Sequence, residues 1–219
     1  MKIAAALLAA GGSSRFGRPK ALVEFQGESL VRRLARELAA VAAPVLVVAP
    51  PKAGAIALEL SGTGARVVVN RMPQRGMGSS IATAARATIA LAPDCEALII
   101  ALVDQPLVDR SLLTALIEAA FGAPGVEGAR RAGRAACDYG AGVIGPPVLF
   151  PRSELDALAA LDGDRGAKEL LLDRREELTL ASFPGGRVDL DTPADYARLL
   201  AESDVEADAG APGAAVDRT

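Results

Sequence analysis

Short apolar runs alternate with helical patterns along most of the chain. Ile3–Leu8 is a continuous apolar run of strand length that ends at a glycine-rich turn. Over Ser29–Val41 the residues Leu30, Leu34, Leu38 and Val41 recur at helical spacing, with Arg32, Arg33, Arg36 and Glu37 on the other faces, so this segment is predicted as an amphipathic helix. Val45–Val48 follows Pro44 as a second apolar strand, Pro50 and Pro51 start a weak helix through Leu60, and Arg66–Val69 reads as a third strand. Ser79–Leu91 is a helix of small residues, and Ala97–Val103 is the most apolar strand, stopping at Asp104.

After residue 122 the pattern loosens. Strands are predicted over Ala129–Tyr139 and Pro147–Phe150, separated by a turn at Gly140–Gly145. Helices follow at Ser153–Leu161 and Ala167–Glu177, then a strand at Leu178–Phe183 and a helix at Pro193–Ala201. Strands that are apolar on both faces and alternate with helices imply an α/β architecture: a doubly wound, mostly parallel sheet in three layers. Ligands of such sheets bind at the carboxyl ends of the strands, so the loops after Leu8, Val69 and Val103 are expected to converge. Residues 1–201 read as one domain. Residues 202–219, acidic and rich in Ala, Gly and Pro, read as a disordered tail.

Composition narrows the chemistry. Among 219 residues there are 24 Lys+Arg, 27 Asp+Glu and no histidine. The near balance of charge supplies no basic field for a nucleic-acid backbone. The absence of histidine excludes His-based general bases, Ser-His-Asp triads and His-ligated metals, leaving carboxylates, Lys, Arg, hydroxyls or a hard metal ion. Cys95 and Cys137 lack CxxC spacing and are expected as two buried thiols of a cytoplasmic protein. The apolar start, Ile3–Ala10, leads directly into a cationic loop, so it is read as a first strand in preference to a secretory signal. No stretch is long and uncharged enough to suggest a membrane span.

The strongest motif is LLAAGGSSRFGRPKAL, residues 7–22. Gly11, Gly12 and Gly17 permit left-handed turns that aim backbone N–H groups into a concavity, and Arg15, Arg18 and Lys20 bring positive charge, which together make an anion cradle suited to a triphosphate. Gly12 and Gly17 have the spacing of a P-loop, but Arg18 and Pro19 stand where that loop has Lys and Ser/Thr, so a Walker A site is disfavoured. Asp104, directly after an apolar strand, is placed to hold Mg²⁺, with capping of the helix near Arg110 as the alternative. In VDLDTPADY, residues 188–196, Asp189 and Asp191 fall on one side of a strand and offer a second carboxylate, although Thr192-Pro193 also reads as a helix start. Residues 70–84 and 163–172 are glycine-rich entries into helices, where ligand binding and simple capping compete.

Taken in order, LLAAGGSSRFGRPKAL, Gly76-Met77-Gly78-Ser79-Ser80, VDQP, GPPVLF followed by LDALAALDGDRGAKELL, and VDLDTPADY resemble the MobA-like nucleotidyltransferases. They are most similar to the molybdenum cofactor cytidylyltransferases of the MocA type. The resemblance runs from residue 3 to about residue 200 and implies a Rossmann-like nucleotidyltransferase fold. It also implies transfer of CMP from CTP to the phosphate of molybdopterin or its molybdenum form, with Mg²⁺ required and pyrophosphate released. It assigns nucleotide binding to Ala9, Ala10, Gly11, Gly12, Arg15, Lys20, Gly78, Ser79 and Ser80, catalysis to Arg15, Lys20 and Asp104, and the metal to Asp104 and Asp191. Its partners are small molecules, CTP or another NTP and a molybdopterin-type acceptor, with no nucleic acid and no membrane. Transient contact with a molybdenum enzyme or an insertion chaperone is compatible with it. Val103 stands where the family often has Gly or Ala, and Pro146 where it often has His. Other readings are a MobA-like transferase using GTP or another acceptor, a nicotine blue oxidoreductase-type NAD(P)H-dependent reductase, and a non-catalytic cofactor carrier.

Overall fold

The computed structural model describes residues 1–11, 17–122, 133–163, 171, 175–188, 190, 192 and 194–201. Its centre is a seven-stranded sheet of order β5-β4-β1-β6-β8-β7-β9. The strands are β1 (Ile3–Leu8), β4 (Val45–Ala49), β5 (Arg66–Val69), β6 (Ala97–Leu102), β7 (Arg134–Asp138), β8 (Ile144–Pro151) and β9 (Leu178–Ser182), while β2 (Glu24–Phe25) and β3 (Glu28–Ser29) form a separate small hairpin. Among the described residues, only β8 runs against its neighbours β6 and β7; every other pairing in the large sheet is parallel. The expected mostly parallel, Rossmann-like sheet is therefore present.

The reason is legible in β1. Ile3, Ala5, Leu7 and Ala9 enter one apolar cluster with Leu34 and Leu38 of α1 (Leu30–Ala39) and Leu113 and Leu116 of α4 (Arg110–Phe121). Ala4, Ala6, Leu8 and Ala10 enter the opposite cluster with Ile81, Ala84 and Ala85 of α3 (Met77–Leu91) and Leu155 and Leu158 of α5 (Leu155–Ala159). Side chains alternate across a strand, so a strand apolar at every position needs a helical layer on each side. The alanines of β1 are completely buried, and their small side chains leave room for the covering helices.

Several boundaries differ from the sequence pattern. The helix after Pro50 is only α2 (Gly54–Glu59), because the two prolines and the turn they impose delay its start. α3 begins at Met77, with Gly76 at a φ of 89° in the capping position. A 3-10 turn over Arg152–Glu154 precedes α5. β8 starts at Ile144, earlier than expected, and carries Pro146 and Pro147. These two residues lack donors and sit where the β7–β8 register shifts, between Ala136 and Cys137, so they do not end the strand. Asp109 caps α4 by accepting from Leu112 N at 2.8 Å, which leaves Asp104 without a capping role there. Cys95 and Cys137 are both free and buried, as expected. The beginning of the expected strand at 129–132, most of the expected helix at 167–177 and the tail at 202–219 lie outside the described residues. Among the described residues, no helix is long and apolar enough to cross a membrane.

Candidate active site

The segments after β1, β5 and β6 meet at one cleft of about 970 Å³. Its floor is the end of β1, where Ala9 and Ala10 are buried and Ala9 N–H donates to Val48 O at 2.8 Å. Gly11 opens onto free space: a Cβ there would meet no atom within 4 Å. Gly17, at a φ of 74°, takes the left-handed turn that glycine adopts readily, and returns the chain along the cleft to Arg18 and Lys20. Gly12 and Arg15 lie outside the described residues.

Lys20 opens a 3-10 turn (Lys20–Leu22) and projects its ammonium toward Asp104, with Nζ 3.4 Å from Oδ2. The two residues are 84 positions apart in the chain. Asp104 follows β6 at the sheet edge, and its backbone oxygen accepts from the N–H of the buried Leu190 at 3.1 Å. Its other carboxylate oxygen, Oδ1, is buried and has no hydrogen-bond partner among the described residues. A buried, ionisable oxygen with no donor is costly unless something completes it. A hard cation suits that need, because Mg²⁺ takes oxygen ligands and commonly uses one or two carboxylates together with substrate phosphates. Asp189 and Asp191 lie outside the described residues. Among the described residues no cluster of three metal-ligating side chains forms.

The start of α3 forms another wall. Gly76, Met77 and Ser80 line the cleft, while Ser79 faces a second cavity of about 700 Å³ between α3, α5 and the edge strand β5. Gly78 N–H donates to Gly163 O at 3.0 Å, which ties this wall to the loop after α5. Beneath both serines lies Asn70, 3% exposed, whose amide nitrogen is 2.8 Å from Ser79 Oγ and 3.0 Å from Ser80 Oγ. Asn70 was not singled out by sequence reasoning. Its signal is the one that identified Asp104: a polar residue directly after an apolar strand at the binding edge.

On the far side of Asp104, Gln105 Nε2 donates to Tyr139 Oη at 2.7 Å, and Tyr139 Oη donates to Pro146 O. The Tyr139 ring packs edge-on against Phe183 at 5.9 Å and occupies the space that side chains at 145 and 186 would need. Sequence reasoning missed this group, because nothing local links residues 105, 139 and 146.

The family model for the MobA-like NTP transferase domain matches residues 5–178, and the chain belongs to that family. It is a nucleotidyltransferase by fold and family. A solved Rv0371c homologue from Mycobacterium sp. strain JC1 is 27% identical, with a TM-score of 0.74 over 93% of this chain and 98% of that one. Rv0371c from Mycobacterium tuberculosis H37Rv in complex with manganese is 26% identical, with a TM-score of 0.69 over 92% and 99%. A nucleotidyl transferase from Methanothermobacter thermautotroptrophicus, Mth528, is 25% identical, with a TM-score of 0.72 over 92% and 97%. No curated protein sequence matches the chain.

Proposed function

We propose that the chain transfers CMP from CTP to the terminal phosphate of molybdopterin or its molybdenum form, using Mg²⁺ and releasing pyrophosphate. The observation that carries the site assignment is the Lys20–Asp104 pair at 3.4 Å in the lining of the cleft, with Asp104 Oδ1 buried and without a hydrogen-bond partner among the described residues. The choice of CTP and of a molybdopterin-type acceptor rests on the Ala9-Ala10-Gly11-Gly12 form of the first loop and on the ordered motifs through VDLDTPADY.

In this reading residues 1–201 act as one nucleotidyltransferase domain in the cytoplasm. Asp104 Oδ1 would hold the cation, with Asp191 as second ligand; Leu190, whose N–H donates to Asp104 O, brings the segment that carries Asp189 and Asp191 to Asp104. When bound, Mg²⁺ offsets charge on the triphosphate oxygens. Ala9, Ala10 and Gly11 form the floor under the nucleotide, with Gly12 as a further nucleotide-binding residue, and Ser80, with Gly78 in the same turn, stands on the side toward the base, while Ser79 faces the neighbouring cavity and shares the Asn70 amide with Ser80. An oxygen of the acceptor phosphate attacks the α-phosphorus of CTP, the new P–O bond forms, the bond to the bridging oxygen breaks, and pyrophosphate leaves with the electron pair. The acceptor is already anionic, so positioning and fixed charge supply the acceleration and no general base is needed. Lys20 and Arg15 stabilise the departing pyrophosphate.

The deciding experiment incubates the protein with Mg²⁺, each NTP in turn and molybdopterin, then identifies the product by mass. A CMP adduct is expected. A GMP adduct reassigns the nucleotide, and NAD(P)H consumption with no adduct replaces the transferase reading with the reductase one.

A further inference from the structure

The second cavity, of about 700 Å³ between α3, β5 and the residues that follow α5, shares no lining residue with the nucleotide cleft among the described residues. Neither Lys20 nor Asp104 reaches it. Its charged lining is uneven: Arg71, Arg75 and Arg86 stand against a single carboxylate, Asp162. The chain as a whole has the opposite balance, with 24 Lys+Arg and 27 Asp+Glu, so the cations are concentrated here against the general trend. The three guanidinium groups differ in what holds them. Arg86 is anchored by Nη1, which donates to Ala159 O at 2.6 Å; that bond fixes the planar fork and leaves its other N–H groups for a second partner. Arg75 pairs through Nη2 with Asp162, but both side chains are half-exposed and solvent weakens the attraction. Arg71 makes no hydrogen bond or ion pair among the described residues.

Three positive groups against one negative leave an excess of two positive charges around the cavity. A phosphate monoester carries about −1.5 to −2 charges at pH 7 and offers three acceptor oxygens, which suits several guanidinium forks at once. Bare phosphate would fill little of the volume, which lies in the range of small-molecule sites. The remaining wall is largely apolar: Val69 and Met72 line the cavity while 42% and 50% exposed, and Leu161 lines it from the segment after α5. We infer that this cavity is a second ligand site, for a small organic phosphate monoester with an apolar body, separate from the site of nucleotidyl transfer. Arg71 and Arg86 take the phosphate oxygens, and the phosphate replaces Asp162 as the partner of Arg75. The apolar body then covers Val69, Met72 and Leu161.

Phenyl phosphate is the probe, titrated into the isotope-labelled full chain and followed by amide NMR, which reads the cavity and the cleft separately. Saturable shifts are expected at the amides of Val69, Thr83 and Leu161, which line the cavity, whatever happens at Gly11 and Lys20 in the cleft. The affinity read at the cavity amides should fall about tenfold in the double variant Arg71→Gln, Arg86→Gln, which loses two charge-assisted contacts. In Asp162→Asn it should rise about threefold, because Arg75 no longer has to leave a carboxylate. Benzoate, with a single charge, and inorganic phosphate, with no apolar body, should each bind about tenfold more weakly. Shifts confined to the cleft amides would overturn the inference. So would an affinity unchanged in the double arginine variant, an affinity that does not rise in Asp162→Asn, or benzoate or inorganic phosphate matching phenyl phosphate. Arg71 and Arg86 are exposed, so their variants are expected to fold, and thermal melts check this. Should the double variant unfold, Asp162→Asn and the comparison of the three anions decide the matter on their own.

Discussion

Asp104→Asn separates stability from activity and gives the sharpest test of the site. At the observed 3.4 Å and an effective dielectric of about 20, the attraction between Lys20 and Asp104 is about 5 kcal/mol before the cost of removing the charges from water. The side chains are 15% and 25% exposed, so solvent weakens that attraction further. Against it stands the desolvation of a carboxylate whose Oδ1 is buried without a partner, a cost of several kcal/mol per ion. The amide of Asn removes both terms together, and a net change within about 1 kcal/mol is expected, or about 2–4 °C in Tm for a chain of this length. Activity should respond quite differently. Loss of the anionic ligand for the cation should lower kcat/KM by about 10³-fold or more. Differential scanning fluorimetry and a pyrophosphate-release assay on the same preparation read both quantities. A variant that melts far below wild type yet turns over normally would refute the reasoning, since Asp104 would then be a structural anion.

Three further outcomes follow from the same geometry. Lys20→Met should lower kcat/KM about 100-fold, and should destabilise the fold by about 1–3 kcal/mol because a partly buried carboxylate loses its ammonium; adding Asp104→Asn should recover most of that stability, and a melt showing no recovery would contradict the pairing. Gly186→Ala places a Cβ 2.1 Å from Tyr139 Cε1 and 2.7 Å from Phe183 Cδ1, so overpacking should cost about 1–3 kcal/mol in a denaturant titration while CTP affinity stays within about twofold. Burial pushes the Cys137 thiol up to about 12 and raises that of Cys95 as well. The reactive species is the thiolate, so iodoacetamide at pH 8 should label neither residue until the protein is unfolded, as read by mass spectrometry.

Much of the architecture was determined by the chain's local pattern. Continuous apolar runs of strand length at β1, β4 and β6, bounded by Gly, Pro or Asp and alternating with helical patterns, read as strands covered on both faces, so the mostly parallel sheet, its helical layers and its binding edge are legible in residue order. The glycine- and cation-rich stretch at residues 7–22 and the position of Asp104 at a strand end are equally local: each is visible in a short stretch of sequence. What the tertiary structure decided is pairing at long range. Insertion of β8 antiparallel between β6 and β7, with its two prolines at a register shift, depends on which edges meet, and no periodicity in Ile144–Pro151 encodes that. The approach of Lys20 to Asp104 across 84 residues arises only when β1 and β6 lie side by side. The contact of the Asn70 amide with Ser79 and Ser80 is decided later still, since its orientation is set by the backbone N–H of Met72 two residues on. Side-chain type states which hydrogen bonds are available; only the folded arrangement consumes some of them and leaves the rest for a substrate.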